Sequence, residues 1–313
     1  NSYVPHLITG VEKNGKLNFE VSDKTSTLTD YAYLAWGLGE YLKICPSNIK
    51  AQVLNVSKAL FSSIKDRHYD GDMGTLIDVN YGKKSSRISM SNAALSIVGL
   101  ASLYDGITDP EVKTMIIKEA DFIVHKLQEP AGEFSDGYWI THLLRKEGAE
   151  TSKDGLLIQS SGIRGLLAAW RLTGDKKYLE GAKKGFDYMD KNFWDENLLI
   201  YRSSLTAGDY IYTPVNVGMT IAALREMSNI EGYTDLALSR LSRFFDRIIE
   251  DAGLVDTARP LSSLNSRIEL EYPLNKGTGK LSAGIADTIL YKISVQNTGI
   301  EPARGIALKV TLP

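Results

Sequence analysis

A single cysteine, Cys45, in 313 residues excludes a disulfide within the chain and leaves no set of thiolates for a metal. The four histidines, His6, His68, His125 and His142, show no paired ligand spacing, so no zinc or other metal site is expected. Asp70-Gly71-Asp72-Met73-Gly74 alternates two acids as a calcium loop would, but it lacks the third acid and the closing glutamate and reads as a turn. No apolar run reaches the roughly 18 to 20 residues needed to cross a bilayer. Neither charge sign is in excess: 36 basic against 38 acidic side chains give a formal net charge of −2. Without a broad positive field, nucleic acid and anionic membrane surfaces are excluded as main partners. Walker and Rossmann glycine fingerprints and the Gly-x-Ser-x-Gly elbow are missing, which removes the commonest phosphate cradles and serine nucleophiles. No cofactor is expected. The sequence opens at Asn1 with neither an initiator methionine nor a signal peptide, as a mature product or a fragment would.

What is present is an ordinary globular composition, 43% hydrophobic and 24% charged, long enough to bury a large core. Its organising feature is a recurring pair of helical patterns, the first apolar nearly all round and the second apolar on one stripe. Thr29-Asp30 is expected to open the first pair, with Tyr31, Leu34, Ala35, Leu38 and Leu42, followed after Pro46 by Ile49, Val53, Val56, Leu60 and Ile64. Ser91-Asn92 and Asp109-Pro110 open the second pair, Ser160-Ser161 and Gly174-Asp175 the third, Thr213-Pro214 and Tyr233-Thr234-Asp235 the fourth. The inner helices start roughly 55 to 70 residues apart, as in stacked helical-pair repeats. Short aromatic and β-branched runs at 74–79, 137–140 and 198–202 predict small strands on one rim.

Helical periodicity ends after Gly253. The runs 268–272, 288–295 and 305–312 alternate, which predicts a β module. Two regions are expected: 1–258, helical with short rim strands, and 259–313, β.

Two stretches carry family resemblances. Leu28-Thr29-Asp30-Tyr31-Ala32-Tyr33-Leu34-Ala35-Trp36-Gly37-Leu38, Leu172-Thr173-Gly174-Asp175-Lys176-Lys177-Tyr178-Leu179 and Phe193-Trp194-Asp195-Glu196 resemble the six-hairpin α/α-toroid superfamily. That group includes N-acylglucosamine 2-epimerase-like proteins, unsaturated glucuronyl hydrolases and the toroid half of a thioredoxin-linked family. The resemblance implies six hairpins where four are legible. Tyr291-Lys292-Ile293-Ser294-Val295-Gln296-Asn297-Thr298-Gly299, with Pro302 to Ile306, resembles the opening of an immunoglobulin-like repeat of prokaryotic cell-surface proteins, with Asn-Thr-Gly as the tight turn. Such a β-sandwich ordinarily continues for several more strands, so the chain is expected to be part of a longer polypeptide. The expected fold is therefore mainly α, a toroid of four visible hairpins followed by a small, incomplete immunoglobulin-like module.

In toroids of this type the resemblance implies a pocket at the N-terminal ends of the inner helices and the loops before them. Asp30, Asp136 and Asp209 are the candidate catalytic acids, with Asp78, Glu133 and Asp154 on the same loops, because glycosidic cleavage needs two carboxylates flanking the bond. Asp30 also reads as a first-turn helix acid, and Asp136 as the turn residue before Gly137. Tyr31, Tyr138, Trp139 and Tyr212 are candidate sugar platforms, since aromatic faces with polar tips suit sugar rings, although they equally suit helix packing. Asn92, Gln159 and Asn216 complete the candidate substrate-binding set. The expected function is an extracellular or cell-surface, glycoside hydrolase-like toroid whose partner is carbohydrate. The alternative is a non-catalytic surface or filament component, its toroid a scaffold and its β tail joining other copies or surface-layer partners.

Overall fold

The structure, a computed structural model, describes residues 9–13, 16–20, 27–80, 83–140, 148, 152–205, 212–250, 264–271 and 290–297. The chain divides into two compact units, Asn1–Ser242 and Arg243–Pro313. The boundary expected at 258/259 falls on residues outside the described ones.

The first unit opens with the antiparallel pair β1 (Thr9–Lys13) and β2 (Lys16–Glu20). Among the described residues eight helices follow, in four consecutive hairpins, as many as are legible in the sequence. Their inner members are α1 (Leu28–Ile44), α3 (Met90–Ile107), α5 (Gly155–Thr173) and α7 (Pro214–Met227). The partners are α2 (Ser47–His68), α4 (Pro110–Phe122, continued by a π-turn over Ile123–Leu127), α6 (Lys176–Phe193) and α8 (Thr234–Glu250). Packing runs from α1 to α3 to α5 to α7, so the inner helices stand side by side. α3 and α5 are buried almost all round, whereas α6 buries one stripe: Tyr178, Ala182, Phe186, Met189 and Phe193.

Local chemistry explains the boundaries. Asp109, Asp175 and Thr213 cap α4, α6 and α7 through their side chains, as the sequence predicts. α1 starts earlier than expected: Thr27 is its cap, and Asp30 is the third residue of a reciprocal capping box. α5 differs most, beginning at Gly155, eight residues before Ile163. Ser160, expected to open it, instead bonds back to the Leu156 and Leu157 carbonyls at 2.9 and 3.2 Å. A serine hydroxyl can satisfy itself inside a helix as well as at its start. Gly174, in the left-handed region at φ 73°, ends α5.

Close backbone approach fixes α1 on α3. A Cβ on Gly99 would stand 2.3 Å from the Ala32 carbonyl oxygen, and one on Gly39 would stand 2.3 Å from the Ser102 carbonyl carbon. Only glycine allows this contact.

Among the described residues the rim strands form four antiparallel pairs in the segments between the end of an outer helix and the start of the next inner one. They are β3 (Tyr69–Asp70) with β4 (Thr75–Leu76), β5 (Val79–Asn80) with β6 (Lys83–Lys84), β7 (Arg87–Ser89) with β8 (Gly137–Trp139), and β9 (Trp194–Asp195) with β10 (Ile200–Tyr201). The pair of β7 with β8 joins two such segments. Glu119 of α4 anchors the first pair: its carboxylate accepts from Thr75 Oγ1 at 2.9 Å and from the Leu76 amide at 2.8 Å. Complete burial outweighs those two bonds and pushes the acid up to about 8.

In the second unit β11 (Leu264–Glu271) pairs antiparallel with β12 (Leu290–Asn297), Leu264 facing Asn297 and Glu271 facing Leu290. The strand expected at 305–312 lies outside the described residues, and the described strands of this unit form a two-stranded ribbon.

Candidate functional site

The N-terminal ends of the inner helices α1 and α3 are stitched together by polar side chains. Asp78, in the loop after β4, accepts the Leu28 amide on Oδ1 at 2.9 Å across fifty residues of sequence. Its Oδ2 accepts from Asn92 Nδ2 at 3.5 Å, and Asn92 Oδ1 accepts from Thr29 Oγ1 at 2.8 Å. One turn into α1, Asp30 Oδ2 accepts the Thr27 amide at 2.8 Å and Thr27 Oγ1 at 2.9 Å. The carboxylates of Asp30 and Asp78 thus sit on successive backbone amides. Adjacent amides are no further apart than consecutive Cα atoms, so the bonded oxygens lie within about 9.5 Å of one another. Both acids, Thr29 and Asn92 are half-buried, neither locked in the core nor fully in water.

A buried histidine holds the Asp78 loop. His68, the last residue of α2, donates from Nδ1 to the Ile77 carbonyl at 2.9 Å, and the Ile77 amide returns a 2.8 Å bond to the His68 carbonyl. Burial, more than the nearby Arg67 charge, lowers the imidazole's pKa and keeps the ring neutral. Tyr31, 1% exposed, meets it edge-on at 5.0 Å. Tyr31 thus supports the loop from below instead of presenting its face at the rim.

The β7–β8 pair brings a second group to the start of α3. Asp136 accepts the Met90 amide on its main-chain carbonyl at 2.9 Å, and its half-buried side chain sits just before β8. Trp139 pairs in register with Arg87, and both are half-buried. Tyr138 points the other way, 3% exposed, with its ring edge-on to Phe122 at 5.5 Å.

The remaining candidates are engaged elsewhere. Gln159 is fully buried in α5, where its amide clasps Phe134 by accepting from N at 3.0 Å and donating to O at 2.8 Å. Asn216 is buried in the first turn of α7, where its Oδ1 accepts from Thr213 Oγ1 at 2.8 Å. Tyr212 is half-buried and donates its hydroxyl to the Tyr201 carbonyl. Asp209 lies outside the described residues. Asp30, Asp78 and Asn92 therefore converge, Asp136 and Trp139 border the same helix start, and Gln159, Asn216, Tyr31 and Tyr138 hold structure in place. Thr27, which sequence reasoning passed over, and Thr29, expected only to open the helix, complete the network; Thr27-x-x-Asp30, a capping-box spacing, was the available signal.

Among the described residues no group of three or more histidine, cysteine, aspartate or glutamate side chains could hold a metal. No described helix is long and apolar enough to cross a membrane.

No protein-family model matches the sequence, and a comparison with curated proteins finds no match. Solved structures do match the fold. A cellobiose 2-epimerase from Bacillus thermoamylovorans superposes with a TM-score of 0.58 at 15% identity, covering 73% of this chain and 61% of that one. An α-mannanase of glycoside hydrolase family 76 from Bacteroides thetaiotaomicron gives 0.55 at 12% identity, covering 78% and 64%. An unsaturated glucuronyl hydrolase from Bacillus sp. GL1 gives 0.54 at 14% identity, covering 69% and 61%. The fold is that of the α/α toroids, and the chain spans less than two thirds of the length of these three neighbours.

Proposed function

We propose that the chain is a carbohydrate-active toroid of glycoside hydrolase type, with its sugar site at the N-terminal rim of α1 and α3. The observation that carries this reading is the placement of the Asp30 and Asp78 carboxylates on successive amides, within about 9.5 Å, beside the Asn92 amide. Inverting glycosidases separate their two carboxyl groups by about 6.5 to 9.5 Å and retaining ones by about 5 to 5.5 Å, so the pair is close enough for either geometry. Asp136 is the further acid of this rim and Trp139 its aromatic platform, and Asp209 is carried as a candidate from the sequence alone. The fold neighbours support the substrate class, since two of the three are hydrolases by name and the third acts on a disaccharide. A cell-surface or extracellular setting belongs to the same proposal.

A second reading is favoured by the same bonds. Asp30 and Asp78 both satisfy backbone amides at a helix start, which is sufficient reason for an acid to be there. On that reading the toroid is a non-catalytic scaffold that binds glycans or neighbouring copies.

The test is turnover of a panel of aryl glycosides and polysaccharides by the 313-residue chain and its Asp78→Asn variant. A hydrolase loses at least about a hundredfold in kcat in the variant while keeping its circular dichroism spectrum. Glycan binding without turnover would select the scaffold. Neither binding nor turnover would remove carbohydrate from the reading altogether.

A further inference from the structure

From the middle of the inner helices towards their C-terminal ends lies a cavity of about 450 Å³, lined by Trp36, Glu40 and Lys43 of α1, Asp105 of α3, Arg164 and Arg171 of α5, and Glu226 of α7, among others. Its nearest lining residue on α1, Trp36, lies six residues beyond Asp30, about 9 Å along the helix axis from the rim acids at the helix starts. Its unusual member is Arg164. A charged residue in the middle of an almost wholly buried helix must be compensated, and this one is compensated only in part.

Its side chain is 7% exposed. Nε donates to Glu226 Oε1 at 3.0 Å, and Nη1 is spent on the weak acceptor Met219 Sδ at 3.1 Å. Nη2 has no hydrogen-bond partner among the described residues. The guanidinium lies 5.0 Å from the centroid of the Trp36 ring, which holds it in place.

Charge is distributed unevenly around the cavity. Glu226 is shared by two guanidinium groups, since Arg171 Nη2 reaches its second oxygen at 2.9 Å, so that wall carries one positive charge in surplus. Across from it Lys43 is shared by Glu40 at 2.8 Å and Asp105 at 3.4 Å, which leaves one negative charge in surplus. A polyanion would meet that negative wall, whereas a monoanion meets only the positive one. Arg164 also lies more than two turns before the end of α5 at Thr173, beyond the reach of the helix dipole's negative end.

We propose that this cavity is a second ligand site, separate from the rim, which takes a ring-bearing monocarboxylate. The carboxylate accepts from Arg164 Nη2, and the ring packs beside Trp36. A guanidinium edge held by an ion pair and an indole needs little reordering to bind, which is the condition for affinity from few contacts. The volume admits one ring with its substituents.

The shared chemistry, a carboxylate on a six-membered ring, has two sources: a sugar acid or an aromatic acid. Glucuronate and benzoate, each beside its neutral counterpart glucose or benzyl alcohol, are titrated into the full chain by calorimetry and by tryptophan fluorescence. At least one acid is expected to bind at least tenfold more tightly than its neutral partner, and which one binds identifies the source. Arg164→Gln leaves Glu226 paired one to one with Arg171 and takes away the wall's surplus positive charge, so it is the decisive variant. It is expected to lose the acid's tenfold advantage, as is Trp36→Leu, in which the ion pair stays intact. Asp78→Asn at the rim is expected to bind the acid unchanged, so the result stands whatever becomes of the glycosidase reading. Binding of neither acid, equal binding of acid and neutral ring, or undiminished binding by Arg164→Gln would each overturn the proposal.

Discussion

At the scale of single residues, two buried titratable groups make opposite predictions about pH. Glu119 has an acid constant raised from 4.5 to about 8 because the interior disfavours its charged form. Below pH 4.5 the carboxyl is protonated whether the chain is folded or not, and it contributes no pH dependence. Between 4.5 and 8 the unfolded chain ionises and the folded one does not, so stability falls as pH rises. Above 8 the loss is complete, and a shift of that size corresponds to about 5 kcal/mol. Glu119→Gln keeps an acceptor for Thr75 and Leu76 and has no charge to bury. Its urea midpoint is expected to equal that of the parent at pH 4 and to exceed it increasingly towards pH 8; a constant difference would show that Glu119 does not titrate on unfolding. His68 works the other way. Its imidazole constant is lowered by burial, so the unfolded chain takes up a proton below about 6.5 before the folded one does, and stability falls as pH drops through that range. Because His68 holds the loop that carries Asp78, acid should loosen the rim, and the protection of the Ile77 amide, relative to its intrinsic exchange rate at each pH, is expected to fall below pH 6.

At the scale of elements, the starts of the helices carry both stability and site geometry. The Thr27–Asp30 capping box opens α1 and positions one of the two rim acids. Thr27→Ala is expected to destabilise the chain by about 1 kcal/mol. Since the box is reciprocal, Thr27→Ala/Asp30→Ala should cost less than the two single changes together, as a thermal double-mutant cycle would reveal. Where α1 crosses α3 the contact is set by glycine. Gly99→Ala places a methyl against the Ala32 carbonyl, which is backbone and cannot turn aside. A loss of about 1–3 kcal/mol is expected, read as a lower denaturant midpoint with an unchanged slope.

At the scale of the first unit, the inner helices form a row whose end members, among the described residues, keep open faces. A Cβ at Gly37 on α1 or at Gly218 on α7 would meet open space, and Tyr33, Tyr41 and Ile44 of α1 are exposed. The last hairpin is held from outside instead. Arg240 of α8 bonds Asp190 of α6 at 2.8 Å and Glu196 at 2.9 Å while lying 4.2 Å from the centre of the Trp194 ring. Asp190 also accepts the hydroxyl of the buried Tyr201. Arg240→Met keeps the aliphatic stem and removes the charge, and is expected to lose about 2–3 kcal/mol because Asp190 is left with too few partners. A loss below about half a kcal/mol, typical of a surface ion pair, would show that the contact is not structural.

The sequence by itself determined the hairpins. Apolar spacing near 3.6 and side-chain caps such as Asp109, Asp175 and Thr213 are local properties, so four pairs of helices and the short strands between them could be read directly. Helix starts were misread where a polar residue had two ways to be satisfied: Ser160 bonds inside α5 instead of capping it, and Asp30 is the third residue of α1. Candidate acids were legible as residue types in loops before inner helices. Their partners were not, because Asp78 meets the amide of Leu28 and Asn92 meets Thr29 across fifty and more residues of chain. The same limit hid Gln159, whose amide serves the Phe134 backbone, and Arg164, whose charge in a buried helix demanded a partner without saying that Glu226 would provide one. Periodicity and capping depend on neighbours within a turn or two. Which carboxylates converge, and which guanidinium keeps an open edge, depends on how separate helices stand against one another, and only the tertiary structure decides that.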